Sequence, residues 1–145
     1  MYKHVLLPTD GSPLSSKAVD LGLAFAKEIG AKVTLLMAIE PFHIISADVE
    51  QLGSTREEYE AYSKDQAEQH LQSLQAKGVA LGVACETEHS ISSEPYRTII
   101  DTARNRNCDL IAMASHGRRG VSALILGSVT TKVLTHSTIP VLVYR

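Results

Sequence analysis

The sharpest chemical signal in the sequence is the run Ala114-Ser115-His116-Gly117, followed after nine intervening residues by Gly127-Ser128. Glycine lets backbone N–H groups approach an anion with no Cβ in the way, and a helix start adds unpaired donors and a favourable dipole. Ser128 and Thr130 can offer hydroxyls to phosphate oxygens, and Arg118 and Arg119 place charge-assisted donors beside the same turn. Together these residues describe a cradle for a polyphosphate. The plainer reading is a loop with two ordinary glycines and a serine near a helix start, and spacing alone does not separate the two.

Other chemistries fit less well. A Ser128–His116–Asp10 hydrolase triad can be written down, but Gly127-Ser128-Val129-Thr130 opens a helix without the G-x-S-x-G elbow that presents such a serine. The dinucleotide pattern G-x-G-x-x-G and the P-loop pattern are both absent, and no lysine is placed to reach a γ-phosphate. Asp10 and Ser128 could share a Mg²⁺ and Arg118 could neutralise charge, yet no dedicated general base for fast phosphoryl transfer is visible. His116 has no second histidine at ligand spacing and reads as a loop histidine bonded to backbone. Quieter roles also exist for Asp10 (a helix cap together with Ser12), for Met113 (core filler) and for Arg118-Arg119 (solvated surface).

The elements that must hold these residues follow from pattern. His4–Leu7 reads as a buried strand ended by Pro8, and Asp10-Gly11-Ser12-Pro13 as a turn, an N-cap and a first-turn proline. A helix with Ala18, Val19, Leu21, Leu23, Ala24, Phe25 and Ala26 on a broad apolar face ends at Ile29-Gly30, and Val33–Ile39 is a second strand closed by Pro41. Phe42–Thr55 has no clean period and is expected to be a loop, and the lid of any site. A polar helix carrying Tyr59, Tyr62, Gln66, Leu71 and Leu74 is expected to stop at Lys77-Gly78, followed by a strand with Leu81, Val83 and Cys85 alternating. Pro95 opens a helix that Asn105–Asn107 stop, Leu110–Ala114 is a strand, Gly127–Thr135 a helix and Pro140–Tyr144 a last strand. This alternation predicts a parallel sheet covered on both faces, with right-handed crossovers setting all strand C-termini on one rim. Ligands of open α/β sheets bind on that rim, and both polar turns, Pro8–Ser12 and Ser115–Gly120, lie there.

With 145 residues the prior is a single domain, residues 1–145, large enough for a core of its own. A net charge of −2, from 14 Lys+Arg against 16 Asp+Glu, argues against a nucleic-acid binder. Cys85 and Cys108 lack metal-finger spacing and read as reduced thiols. No stretch is long and apolar enough for a membrane span, and the first residues lack a signal-peptide core, so the expected location is the cytoplasm.

Val-Leu-Leu-Pro-Thr-Asp-Gly-Ser (Val5 to Ser12) resembles the opening of the universal stress protein family. Ser-His-Gly-Arg-Arg-Gly from Ser115, the nine-residue gap, Gly-Ser-Val from Gly127 and the closing Pro-Val-Leu-Val from Pro140 resemble its end. The resemblance spans essentially the whole chain. It implies an α/β three-layer sandwich with a five-stranded parallel sheet in the order 3-2-1-4-5, of the adenine nucleotide alpha hydrolase-like kind. In the family's ATP-binding branch it implies the pattern G-x-x-G-x9-G-[ST], which Gly117, Gly127 and Ser128 match while Ala114 stands at the first glycine. A methyl there is nearly harmless at negative φ and costs about 1 kcal/mol at positive φ.

Carried over by position, the resemblance sets Asp10 against the adenosine, Pro8 and Thr9 along the adenine side, and Ala38 against the base. Met113 would pack near ribose and base, and Gly117, Arg118, Gly127, Ser128, Val129 and Thr130 would hold ribose and phosphates. The implied ligand is ATP, or AMP in its place, with Mg²⁺ as an accompanying ion and with slow or no hydrolysis, at most a weak ATPase. The competing expectation is a nucleotide-free member acting through protein partners. A homodimer through the apolar edge strand Pro140–Tyr144 is also implied, since an uncovered apolar edge is an aggregation hazard. Enclosure of a ligand would then fall to the Phe42–Thr55 loop or to the second subunit.

Overall fold

A computed structural model describes residues 1–42, 49–117 and 126–145, with 49–54 described in backbone only. Among the described residues strands and helices alternate: β1 (His4–Thr9), α1 (Pro13–Ile29), β2 (Lys32–Ile39), α2 (Val49–Leu81), β3 (Cys85–Ile91), α3 (Pro95–Asn105), β4 (Leu110–Ala114), α4 (Ser128–His136) and β5 (Val141–Tyr144). The strands form one parallel sheet in the order β3-β2-β1-β4-β5, as the resemblance implied.

Pleat alternation along β1 divides the core. Val5 and Leu7 face α1 and α2, packing with Val19, Leu23, Leu71 and Leu74. Leu6 faces α3 and α4, packing with Ile99, Ala103 and Val133. Both faces of the central strands are thus covered, which is why those strands read as continuous apolar runs. No helix of the described residues is long and apolar enough to cross a membrane.

Four boundaries differ from expectation by more than one residue. β1 continues through Pro8 to Thr9. Its pairing with β4 covers only Val5 and Leu6, so the strands have parted by Pro8 and a missing amide costs no ladder bond on that side. The expected loop is helical from Val49 onward, and 43–48 lie outside the described residues. α2 does not stop at Gly78, where a Cβ would run into Cys85 Sγ and lie 3.3 Å from Leu23 Cδ2. That glycine lets the helix pass close to the sheet, and the terminator is Gly82, in the left-handed region at φ 82°. Leu81 and Val83 therefore precede the strand, and β3 runs from Cys85 through the polar Glu-Thr-Glu-His-Ser, half exposed because it is an edge.

At the opposite end of the sheet from the rim, a polar knot ties the strand starts together. Asp109 accepts the amides of Lys3 (2.9 Å) and His4 (3.0 Å). The His4 ring, 4% exposed, bonds Thr34 Oγ1 through Nε2 at 2.7 Å. Burial, with Lys32 nearby, holds the His4 pKa below its ordinary value. Burial likewise pushes the Cys108 thiol up to about 11, and raises that of Cys85, so both cysteines are uncharged free thiols.

Candidate functional site

β1 and β4 adjoin at the centre of the sheet, and the chain leaves them toward opposite faces, α1 on one and α4 on the other. Outside their C-terminal ends lies a cavity of about 910 Å³. It is the crevice where doubly wound sheets bind ligands, and its volume is near the top of the ~300–1,000 Å³ range of small-molecule pockets.

One lip is the turn from β1 into α1, and it is closed by its own side chains. Ser12 caps α1 by accepting the Ser15 amide at 3.2 Å, and Ser15 Oγ donates to the Ser12 carbonyl at 3.1 Å. Thr9 Oγ1 meets Ser15 Oγ at 2.9 Å and accepts the Gly11 amide at 3.1 Å. Asp10 Oδ1 accepts the Ser12 amide at 2.9 Å, so the carboxylate braces the turn while Ser12 caps the helix. Gly11, at φ 79°, makes the reversal possible.

The facing lip is the path from β4 to α4. Gly127 N–H donates to the Ser115 carbonyl at 2.7 Å, bringing the two halves of the glycine pattern into contact. A Cβ on Gly127 would come within 3.0 Å of His116 Cα, and one on Gly117 would overlap the Asp10 carboxylate. Both glycines are therefore needed for close approach, and the second brings the two lips together. Ala114 sits in β4, and Asn107 is the one non-glycine residue at positive φ among those described. The methyl of Ala114 thus meets no backbone strain.

The other predicted residues divide by environment. Pro8, Thr9, Ala38 and Met113 line the cavity, and Met113, 6% exposed, also packs in the core. Ser128, Val129 and Thr130 stand in the first turn of α4, whose N-cap Gly127 has no side chain to cap it. Thr130 is buried and its hydroxyl donates to the Ala114 carbonyl at 2.9 Å, which commits its only proton. Ser128 and Thr130 both line the cavity, and Ser128 is the exposed one of the two. His116 Nδ1 bonds Ser115 Oγ at 3.2 Å, a side-chain contact where a backbone one was expected. Arg118 and Arg119 lie outside the described residues. No group of three or more His, Cys, Asp or Glu able to hold a metal exists among the described residues.

Two walls went unforeseen. The N-terminal half of α2 flanks the cavity with Tyr59, Tyr62 and Gln66, and Tyr59 Oη donates to the Glu40 carbonyl at 3.3 Å. Of the residues at helical spacing only Leu71 and Leu74 join the buried stripe, which is Ala67, Leu71, Leu74 and Gly78, and Tyr62 is 65% exposed. The second wall is Tyr96 of α3 with Lys132 of α4. Lys132 follows Ser128 by four residues, a spacing that puts both on one helix face and that the sequence displays openly.

A model of the universal stress protein family matches residues 1–145. A universal stress protein of Methanocaldococcus jannaschii is 29% identical over all of this chain and 83% of its own length. One from Thermus aquaticus is 31% identical, with both chains fully covered. Among solved structures, universal stress protein UspA of Lactobacillus plantarum superposes with TM-score 0.86 at 23% identity, covering 99% of this chain and 98% of that one. A universal stress protein in complex with cAMP (TM-score 0.71, 22% identity, 99% and 97% covered) has the same fold. So does a family protein of Arabidopsis thaliana with AMP bound (TM-score 0.68, 20% identity, 97% and 90% covered).

Proposed function

The chain belongs to the universal stress protein family, and on that premise we propose that it holds an adenine nucleotide, ATP or AMP, in the rim cavity, with slow or no hydrolysis. One observation carries the proposal: Gly117 is pressed against the Asp10 carboxylate, so the two sequence motifs form the two lips of one cavity. The anion end falls at α4, whose N-cap residue Gly127 has no side chain to cap the first-turn N–H groups. The base and ribose end falls at Pro8, Thr9, Ala38 and Met113, an apolar surface edged by the Asp10 carboxylate, which suits a ribose hydroxyl. In two proteins of the same fold the ligands are cAMP and AMP.

The donor set also fits a Mg²⁺ carried in on phosphate oxygens, since such ions take one or two protein oxygens and keep several waters. Asp10 and Ser128 border the cavity and would supply those oxygens. Bound there, the ion would offset phosphate charge. Of the three cavity carboxylates Asp10, Glu40 and Glu94, Asp10 accepts the Ser12 amide and braces its turn, and Glu94 pairs with Arg97 at 2.9 Å. The site is suited to retaining a nucleotide as a structural or signalling ligand. We propose in addition a homodimer through β5, an edge strand whose residues Val141–Tyr144 are all only half buried in the single chain. Sedimentation at micromolar concentration should give a dimer, and Leu142→Asp a monomer.

The test is to heat-denature the purified protein, resolve the supernatant by anion exchange, and titrate the protein with ATP–Mg²⁺ by calorimetry. Released ATP or AMP, or saturable heat, is expected. A clean supernatant together with no heat overturns the proposal in favour of a nucleotide-free member acting through protein partners.

A further inference from the structure

The cavity reaches beyond the glycine pattern into a charged wall that the family motif does not use. Ser128, Lys132 and His136 recur at four-residue spacing and make one stripe along α4. Tyr96 of α3 covers the stripe: its ring centroid is 5.3 Å from that of His136, and Lys132 Nζ lies 5.4 Å from it, within cation–π range. Arg97 is drawn to the same tyrosine, its Nε donating to Tyr96 Oη at 3.0 Å, but its charge is matched by Glu94. Among the described residues no carboxylate lies within 4.0 Å of Lys132. Among the described residues the lysine therefore brings an unmatched positive charge to the cavity wall, beside an aromatic ring.

Lys132 and Ser128 stand one turn apart on α4 and both line the cavity. We propose that Lys132, positioned by Tyr96, sets the phosphate-chain length that the site prefers, receiving the outer phosphates of a nucleoside triphosphate. The proposal rests on the nucleotide-binding reading above. A single phosphate held at the start of α4 ends before the lysine and gains nothing from it. Outer phosphates continue along the Ser128–Lys132 stripe and gain a charge-assisted contact.

Calorimetric titration of the wild-type protein, K132Q and K132R with ATP, ADP and AMP tests this. The wild type should prefer ATP to AMP. K132Q should lose roughly tenfold or more in ATP affinity, the worth of one hydrogen bond to a charged group, with AMP affinity unchanged. K132R should keep most of the preference, and Y96L should lose part of it by freeing the lysine. Retained AMP binding also reports that each variant is folded. An ATP-to-AMP ratio unaltered in K132Q, or an equal loss for both, overturns the role of Lys132 and leaves nucleotide binding standing. Failure of the wild type to bind any of the three overturns both.

Discussion

Replacing Gly117 by alanine tests whether the two lips of the cavity are mechanically coupled. The added Cβ would overlap one Asp10 carboxylate oxygen and stand 3.2 Å from its Cγ. Gly117 is not in the left-handed region, so alanine meets no backbone strain there and the contact is the whole effect. To escape, Asp10 must swing off the Ser12 amide that it accepts at 2.9 Å. A hydrogen bond to a charged group is worth about 1.5–3 kcal/mol, and the half-exposed Asp10 belongs at the low end. Reduced freedom of the unfolded chain offsets about 0.5 kcal/mol of that. The net expectation is a destabilisation of about 1 kcal/mol for G117A by urea unfolding, with weakened ATP binding. In an Asp10→Ala background the obstacle is gone, and G117A should be neutral or stabilising by about 0.5 kcal/mol. The coupling across the double-mutant cycle is then about 1.5 kcal/mol, well above the scatter for independent sites. Equal costs of G117A in both backgrounds would refute the reasoning.

Three further outcomes follow from particular contacts. Gly78→Ala should destabilise by about 1–2 kcal/mol despite alanine's better helix propensity, because the interior is overpacked against Cys85; adding Cys85→Ala should restore most of the loss in urea unfolding. The His4 pKa lies below its unfolded value of about 6.5, so the unfolded chain takes up the proton first. Stability should accordingly be full above that pH and decline as pH falls through the window beneath it, and H4Q should flatten the slope. Cys108, buried and with its pKa at about 11, should react with thiol reagents at pH 8 only at the rate of opening or unfolding.

What was legible in the sequence was what depends on local chemistry. Strands β2 and β4 are continuous apolar runs, and Ser12-Pro13 and Asn105–Asn107 mark helix ends by backbone preference, so all were visible. β3 was misplaced because, as a half-exposed edge, it lacks the apolar pattern that marks buried strands. Gly78 reads as a helix stop because a glycine needed for close packing has the same letter as one needed for a positive φ. At the site, the glycine pattern showed which turn would matter. The α2 wall was hidden because Tyr59 and Tyr62 fit a core stripe by spacing, and only the rotation of the helix decides which face is buried. Thr130 looked like a phosphate donor until the Ala114 carbonyl appeared within reach of its hydroxyl.

Two of the helix starts that border the cavity, those of α1 and α4, are built differently, and that difference orients a ligand. α1 is capped by Ser12 and further tied by Thr9, Asp10 and Ser15, so its lip has few donors left to offer. α4 begins at a glycine, with no side-chain cap and no acidic residue in its first turn. An anion is stabilised at an uncapped helix start and gains little at a saturated one. A nucleotide lying across the crevice should thus place its phosphates at α4 and its base toward Pro8 and Ala38, never the reverse. Filling the α4 cap from within the protein should abolish this polarity. Gly127→Asp would supply its own acceptor and a repelling charge, while its Cβ meets His116. The variant should therefore lose ATP binding more severely than K132Q does, and lose AMP as well, because the site forfeits the position of the first phosphate and not only that of the last.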